Sequence, residues 1–278
     1  MHEERTPLGK VTQYPQRYDP SLLCSLPRAT GRDVLNLSAK LPFSGVDLWT
    51  AYEISWLDNL GKPQVAIGEF AIDCDSTFLI ESKSLKLYLN SLNQQCFADS
   101  SEIETTIARD LRAACAGDVE IRLFTLSDYQ RRAGGSFSGL CLDNLAVACM
   151  DYQPNADLLT VCGATVQSET LYSDLLKSNC PATGQPDWAS IQISYRGKAI
   201  DHSGLLRYIV SFRNHAGFHE HCVEQIFLDI QRRCQPHELT VYARYTRRGG
   251  IDINPLRTTD DYTLAAGLLG SGARQVRQ

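Results

Sequence analysis

The chain has 278 residues, 43% hydrophobic and 21% charged, with 27 Lys and Arg against 32 Asp and Glu and a formal net charge of -5. This composition is typical of one large globular domain or two of about 140 residues, and it excludes a disordered, collagenous or coiled-coil chain. The excess of acidic residues disfavours a nucleic-acid binder. No stretch approaches the ~20 apolar residues that span a bilayer, and the first ten residues, MHEERTPLGK, lack the apolar core of a signal peptide. We therefore expect a cytoplasmic protein.

Ten cysteines are spread along the chain from Cys24 to Cys234, with no C-x-x-C pair among them. A secreted chain would use them as a disulfide framework, whereas in a reducing compartment most cysteines are small buried apolar residues. Because the second case agrees with the absence of a signal peptide, we expect only one or two of the ten to be reactive.

The first half of the chain shows strand and helix patterns after a lead-in, residues 1–36, which is rich in Pro, Arg, Tyr and Ser and reads as extended. The runs 49–56 and 65–72 are aromatic or β-branched and are separated by turn residues, which predicts a hairpin. A helical pattern follows Lys83, and a second helix opens at Ser100 with a good N-cap. The run 119–124 alternates apolar and polar residues, as a half-buried strand does.

The Gly- and Ser-rich residues 133–139 predict a linker or an exposed loop. Beyond them the first half recurs: run 49–56 is echoed by run 188–195 at an offset of 139, and later positions, such as Tyr88 and Tyr208, at 120. A period this long indicates duplicated domains. Two strands, two helices and two strands in each copy predict an antiparallel sheet backed by helices, an α+β fold. The predicted segments are lead-in 1–36, first copy 37–132, linker 133–160, second copy 161–262 and tail 263–278.

The segment from Cys180 to Asp187 contains two prolines and a glycine, so its backbone is neither a regular helix nor a central strand. This is an unusual place for a packing cysteine. Trp188 follows Asp187, and we expect its ring to shield the carboxyl from water and to favour proton donation. A turn with an incidental thiol explains the same residues equally well.

The run His219-Glu-His-Cys222 invites a zinc interpretation. Residues one and two apart on a helix point to different faces, whereas zinc-binding helices use positions i and i+4. No second Cys/His pair has the spacing to complete a tetrahedron. We therefore expect no metal, and interpret His219 and Glu220 either as helix-capping groups or as groups that face a small ligand.

Two basic segments are candidates for phosphate binding. Lys83 and Lys86 follow Glu81, which is either an acidic helix start or an acceptor for the N–H groups of a ring. Residues 247–250, Arg-Arg-Gly-Gly, offer guanidinium and backbone N–H groups, or form an ordinary polar turn. The chain has no Gly-x-Gly-x-x-Gly between a strand and a helix and no P-loop, so a nicotinamide site would lie outside a Rossmann domain.

Taken together, these segments resemble the NADPH-dependent 7-cyano-7-deazaguanine reductases, the nitrile reductases of queuosine biosynthesis, in their long, duplicated form. The matching residues are Glu81-Ser-Lys-Ser-Leu-Lys-Leu-Tyr88, Cys180-Pro with Gln185-Pro-Asp187, Phe218-His-Glu220 and Arg247-Arg-Gly-Gly250, and the resemblance runs from about Leu23 to Arg257. It implies two tandem tunnelling-fold domains, a fold shared with GTP cyclohydrolase I, whose sheets join across subunits into a barrel. It also implies a homodimer that uses NADPH, without a membrane or a direct nucleic-acid partner.

The resemblance further implies the roles of particular residues. Cys180 is expected to attack the nitrile as a thiolate and form a thioimide, which two NADPH reduce, with Asp187 as the proton donor. The expected substrate contacts are Ile80, Glu81, Ser82, His219 and Glu220, and the expected cofactor contacts are Ser82, Lys83, Arg248 and Gly249. Because the motifs are divided between the copies, the resemblance implies one composite site per chain.

Two other functions are compatible with the residues. One is a zinc hydrolase, like the related cyclohydrolases, that uses His219, His221 and Cys222. The other is a non-catalytic purine or pterin binder with the same fold. Of the three, only the reductase accounts for Cys180, Asp187 and Glu81 together.

Overall fold

A computed structural model describes residues 14–15, 17–37, 40–131, 134–260 and 275–278. Its strands are β1 (Ser25–Pro27), β2 (Ser44–Leu57), β3 (Pro63–Asp73), β4 (Phe78–Ile80), β5 (Val119–Phe124), β6 (Leu140–Cys141), β7 (Val161–Asn179), β8 (Pro186–Ile200), β9 (Glu238–Tyr245) and β10 (Ile251–Thr258). Its α-helices are α1 (Arg28–Val34), α2 (Ser82–Ser91), α3 (Ser100–Cys115), α4 (Leu126–Gln130), α5 (His202–Ser211) and α6 (His219–Cys234).

One eight-stranded sheet runs through both halves of the described chain, in the order β5-β3-β2-β10-β9-β8-β7-β6. All neighbours are antiparallel except β6 and β7. The halves meet where β2 pairs with β10, from Ala51 opposite Ile251 to Ser44 opposite Thr258. The predicted α+β class and antiparallel sheet are therefore confirmed.

Helices cover the sheet and bury a core in each half. The apolar positions of α3 predicted to face inward, Ile103, Ile107 and Leu111, are all fully buried. Such burial stabilises the fold by about 1.5–3 kcal/mol per side chain. The helix begins at Ser100 as predicted, and the Asp99 side chain caps it by accepting from the N–H groups of Ser101 and Glu102. No helix of the described residues is long and apolar enough to cross a membrane.

The same series of strand, strand, helix, helix and strand occurs twice. Helices α2 and α5 are both ten residues long, α3 and α6 are both sixteen, and each of the longer pair ends at a left-handed residue, Ala116 or Gln235. Run 188–195 lies in β8, the second strand of the β7–β8 hairpin, and so corresponds to β3, the second strand of the β2–β3 hairpin, whereas run 49–56 lies in β2. The predicted equivalence of these runs is wrong. In both runs every second side chain faces a core that is covered by helices. Two strands that are not equivalent therefore show a similar sequence pattern.

The N-terminal lead-in is not extended throughout. A 3-10 turn at Pro20–Leu22 is followed by β1, which pairs with β4, and by α1. Arg28, the first residue of α1, is buried because its guanidinium donates to Asp47 in β2 at 2.6 Å. Charge pairing of this kind gives order that apolar periodicity alone does not predict.

The segment between the halves is largely exposed, as predicted for the Gly- and Ser-rich stretch, of which residues 134–139 are described and residues 132–133 are not. Phe137 packs against Tyr172 and Tyr242, and β6 extends the sheet beside β7. Leu142 and Leu159 are fully or almost fully buried in the core of the second half. Most of the predicted tail lies outside the described residues, but Gln278 returns to the sheet.

A network of charged side chains connects the two halves beneath the sheet. Asp47 pairs with Arg28 at 2.6 Å and with Arg257 at 2.8 Å, and Glu224 pairs with Arg257 at 2.9 Å and with Arg32 at 2.7 Å. Burial would raise the pKa of Asp47, but Arg257 and Arg28 hold it below its usual value. The network therefore keeps its carboxylates charged inside the protein.

Candidate active site

The functional segments meet around one cavity of about 260 Å³. Its walls come from the start of α2, the turn between β7 and β8, the start of α6, and the turn between β9 and β10. The site residues predicted from sequence all line it: Ile80, Glu81, Ser82, Lys83, Cys180, Asp187, His219, Glu220, Arg248 and Gly249. The structure thus brings together residues that are up to 169 positions apart in the chain, between Ile80 and Gly249.

Cys180 is the first residue after β7 and begins the tight turn into β8. Its N–H donates to the carbonyl of Gln185, and its carbonyl accepts from the N–H of Gly184, each at 2.9 Å. Gly184 has φ +69°, a left-handed conformation that glycine adopts without strain. The turn holds Cys180 at the cavity wall with only 5% of the residue exposed.

Hydrogen bonding around Cys180 favours its thiolate. Burial would raise the pKa of the thiol, but hydrogen bonds from the Thr183 side chain, the backbone of Ala182 and Thr183, and Arg248 outweigh it and hold the pKa below its usual value. The thiolate is the nucleophilic form of cysteine, so Cys180 is equipped to attack an electrophile.

Asp187 lies at the start of β8 and lines the same cavity as Cys180. Arg248 Nη1 donates to Asp187 Oδ1 at 2.8 Å, and His219 Nε2 lies 3.4 Å from Asp187 Oδ2. Trp188 does not line the cavity; its ring is partly exposed and packs against the guanidinium of Arg213. The prediction that Trp188 shields Asp187 is wrong, because consecutive strand residues point to opposite faces of the sheet. The carboxyl is instead buried between Arg248 and His219.

Glu220 is in the first turn of α6 and is 3% exposed. Burial, together with the charge of Asp47, raises its pKa to about 7, although His219 and Arg28 act to lower it. A carboxyl with such a pKa changes its charge in the physiological range, which is common for groups in functional sites.

Glu81 takes the first of the two roles left open by its sequence, that of an acidic helix start. It is the N-cap of α2, and its carboxylate accepts from the N–H groups of Lys83 and Ser84, each at 2.8 Å. Burial raises the pKa of Glu81. A carboxylate has about four acceptor positions, so Glu81 can cap the helix and still accept from a ligand in the cavity.

The basic residues divide between the cavity and its surroundings. Lys83 and Arg248 line the cavity. Lys86 also reaches it, but its ammonium group donates to Glu53 at 2.9 Å and to the carbonyl of Gly249 at 2.6 Å, so it joins α2 to the last hairpin. Arg247 is exposed and its guanidinium lies 4.5 Å from the centre of the Tyr52 ring. The predicted positive charge near the site therefore comes from Lys83 and Arg248.

The three residues of the zinc alternative do not converge. His219 faces Asp187, whereas the ring of His221 packs against Gly31, where a Cβ would lie 2.2 Å from His221 Cε1. Cys222 is fully buried, and burial raises its pKa to about 12, which disfavours a metal-binding thiolate. Within the described residues, these three side chains do not form a group close enough to share an ion.

Leu26, Leu79, Thr246, Ile251 and Ile253 also line the cavity and were not predicted from sequence, and neither was a residue next to it. Tyr245, at the end of β9, stacks face to face on the ring of His219, with centroids 3.6 Å apart. The alternating sequence of β9 predicts only that Tyr245 is a core residue. The contact depends on how β9 and α6 pack, which no local pattern specifies.

A buried thiol with a lowered pKa, an ion-paired carboxylate and two glutamates around a small cavity define a candidate thiol enzyme for a small polar ligand. Two family models match the chain: "Nitrile reductase, 7-cyano-7-deazaguanine-reductase N-term" over residues 14–123 and "QueF-like protein" over residues 186–263.

Relatives named NADPH-dependent 7-cyano-7-deazaguanine reductase match nearly the whole chain. The protein from Burkholderia pseudomallei (strain 1106a) is 52% identical over 259 residues, which cover 93% of this chain and 94% of the relative. The protein from Burkholderia orbicola (strain MC0-3) is 51% identical over 261 residues, which cover 93% and 95%. This chain belongs to the family of NADPH-dependent 7-cyano-7-deazaguanine reductases, and the resemblance predicted from its motifs is confirmed.

A solved structure of the archaeosine synthase QueF-Like in the apo form is also similar, with 12% sequence identity and a TM-score of 0.31. The similarity covers 37% of this chain and 100% of that chain.

Proposed function

We propose that this chain uses NADPH to reduce the nitrile of 7-cyano-7-deazaguanine to an aminomethyl group, through a thioimide on Cys180, in queuosine biosynthesis. The observation that carries this mechanism is the meeting of Cys180 and Asp187 in one cavity with Glu81 and Glu220. The reaction needs three functions: a reactive thiol, a pair of residues that carries protons, and acceptors for the N–H groups of the ring.

The first step is addition of the Cys180 thiolate to the nitrile carbon. A C–S bond forms, and the nitrile nitrogen takes up one proton to give the neutral thioimide. Solvent can supply this first proton, and we assign the protons that accompany the two reductions to Asp187 and His219, which line the cavity with Oδ2 and Nε2 3.4 Å apart. The overall reaction consumes two NADPH and two protons for each nitrile and releases the thiol unchanged.

The cavity suits a bicyclic base with N–H donors. Its volume of about 260 Å³ is just below the roughly 300–1,000 Å³ of pockets for drug-sized ligands, and Ile80 contributes an apolar wall. Glu81 and Glu220 are buried acceptors for the ring N–H groups, each hydrogen bond being worth about 1.5–3 kcal/mol. Ser82 adds a hydroxyl at the same end of the cavity.

The residues at the cavity also suit NADPH, which supplies a hydride in each reduction. Lys83 and Arg248 provide two cations, and Gly249 has φ +58°, which brings an unhindered backbone close to the cavity. Cations beside an exposed glycine backbone are typical of phosphate binding. We assign Ser82, Lys83, Arg248 and Gly249 to the cofactor.

We also propose the assembly that the resemblance implies. Residues 37–132 and 161–262 would each be one tunnelling-fold domain, joined by residues 133–160 and flanked by residues 1–36 and 263–278. In the described chain, β5 and β6 end the sheet with one neighbour each. Open edges favour pairing with another chain, so we propose a cytoplasmic homodimer whose sheets close into a barrel. Sedimentation equilibrium would test this, and a monomer would contradict it.

Mass spectrometry after mixing with the nitrile, without NADPH, tests the proposed mechanism. The wild type and Cys222→Ala should gain the mass of the substrate, whereas Cys180→Ala should not. Asp187→Asn should retain the adduct but lose reduction, and wild-type turnover should oxidise two NADPH per nitrile. An intact adduct in Cys180→Ala would refute the nucleophile, and turnover at the wild-type rate in Asp187→Asn would refute the proton donor.

A further inference from the structure

The stack between Tyr245 and His219 differs from the other ring contacts of the described chain. Its centroids are 3.6 Å apart and its planes differ by 2°. The other aromatic pairs among the described residues are T-shaped or tilted, with centroids at least 5.4 Å apart. Because edge-to-face or offset geometries are preferred for aromatic pairs, this parallel arrangement indicates that the surroundings hold the rings.

Tyr245 is enclosed in the core of the second half. It is fully buried, and it lies opposite Ala189 of β8, two residues after Asp187. Its N–H donates to Asn254 Oδ1 at 3.1 Å, and its carbonyl accepts from Gln278 Nε2 at 3.4 Å. The backbone of Tyr245 is therefore fixed relative to the strand that carries Asp187, and the surrounding core encloses its ring.

His219, in contrast, has weak polar support. Its Nε2 is 3.4 Å from Asp187 Oδ2, longer than the 2.7–3.2 Å of a good hydrogen bond. Its Nδ1 is buried and has no hydrogen-bond partner among the described residues. The face of Tyr245 is thus the contact that sets the plane of the imidazole.

We propose that Tyr245 is a positioning residue, which holds the His219 imidazole in the plane where Nε2 faces Asp187, so that this pair can deliver protons to the substrate nitrogen. Tyr245 does not line the cavity and acts through His219. Each hydride added to carbon is matched by one proton to nitrogen, and solvent restores the proton to the His219–Asp187 pair. The inference rests on the proposed reductase function.

Three variants separate positioning from packing. Tyr245→Leu removes the ring, Tyr245→Phe keeps the ring and removes the hydroxyl, and Phe227→Leu is the matched control. Phe227 is fully buried in the same core and lies on α6, but it does not line the cavity. If only packing matters, Tyr245→Leu and Phe227→Leu should slow reduction of the adduct to a similar extent.

The first measurement needs no substrate. In proton NMR spectra of the ligand-free protein, the ring protons of His219 should be shifted upfield by the Tyr245 ring current, with the resonance assigned through His219→Gln. The shift should persist in Tyr245→Phe and Phe227→Leu and disappear in Tyr245→Leu. A wild-type His219 resonance without the shift would overturn the proposal, even if the ring-less variant does not fold.

The second measurement separates adduct formation from its reduction. In single-turnover experiments, Tyr245→Leu should form the Cys180 adduct within about twofold of the wild-type rate, but reduce it about tenfold to hundredfold more slowly. Tyr245→Phe and Phe227→Leu should both reduce the adduct within about threefold of the wild-type rate. Tyr245→Met replaces the leucine variant if that variant does not fold.

The outcomes distinguish this inference from the proposed function. A folded ring-less variant that reduces the adduct at the wild-type rate would overturn the positioning role. The role would also be overturned if Tyr245→Phe lost as much of the reduction rate as Tyr245→Leu. Absence of an adduct in the wild type would instead refute the proposed function, and the NMR shift would still test the stack.

Discussion

Replacing Glu220 with glutamine should change how the stability of the ligand-free protein depends on pH. The residue is buried in the first turn of α6, and burial raises its pKa from 4.5 to about 7. A carboxyl whose pKa is higher in the folded than in the unfolded state stabilises the fold below its unfolded pKa. That stabilisation is lost as the pH rises through the folded pKa, because the buried group must then ionise.

The size of the effect follows from the two pKa values. A rise from 4.5 to about 7 corresponds to about 3 kcal/mol of unfolding free energy over the full window. Between pH 5.5 and pH 8 the wild type should lose about 2 kcal/mol through this residue. Glu220→Gln has no charge to bury, so it should become more stable relative to the wild type by that amount.

Urea unfolding of both proteins at pH 5.5 and pH 8 measures this difference. Glu238→Gln is the control, because hydrogen bonding to Arg196 holds the pKa of this exposed residue below 4.5. The effect of this substitution on the free energy of unfolding should therefore be the same at pH 5.5 and at pH 8. A stability difference between Glu220→Gln and the wild type that stays constant from pH 5.5 to pH 8 would refute the raised pKa. An opposite trend would show that the neighbouring cations dominate over burial.

Three further predictions concern the thiol, the buried charges and the last hairpin. Alkylation of Cys180 by iodoacetamide, followed by peptide mass spectrometry, should have a midpoint below pH 9.0 because its pKa is lowered, and a midpoint above pH 9.0 would contradict this. Asp47→Asn should lower the free energy of unfolding by about 3–5 kcal/mol, because fully buried Arg257 loses a charged partner at 2.8 Å. A loss below about 1 kcal/mol, measured by urea unfolding, would contradict this prediction. Gly250→Ala should cost about 1–2 kcal/mol, because φ is +83° and the new Cβ would lie 2.5 Å from Glu53 Cδ. An unchanged melting temperature in calorimetry would show that this turn adapts without strain.

Periodicity predicted the regular elements well, because it reports which residues face a core. The buried positions of α3, the hairpin of β2 and β3, and the strand β5 all follow from local patterns. It failed where order depends on distant partners. Arg28, the first residue of α1, is buried beside its charged partner Asp47, and Phe137 packs against Tyr172 and Tyr242.

The site shows the same division. Cys180 was distinguished from nine other cysteines by a turn-forming context, which is a local property of the backbone. Lys86 looked like a phosphate ligand, since its sequence does not show that Glu53 and the Gly249 carbonyl accept from it. Trp188 looked like the cover for Asp187, although strand alternation turns the two side chains apart.

The sequence by itself determined the class of fold, the family, and the segments that bear the chemistry, because each depends on residue types at short spacings. Only the tertiary structure decided that these segments share one cavity, that Arg248 and His219 flank Asp187, and that Tyr245 stacks on His219. The physical reason is that hydrogen bonds, ion pairs and ring contacts act over a few ångströms, so their partners are set by how the strands and helices pack.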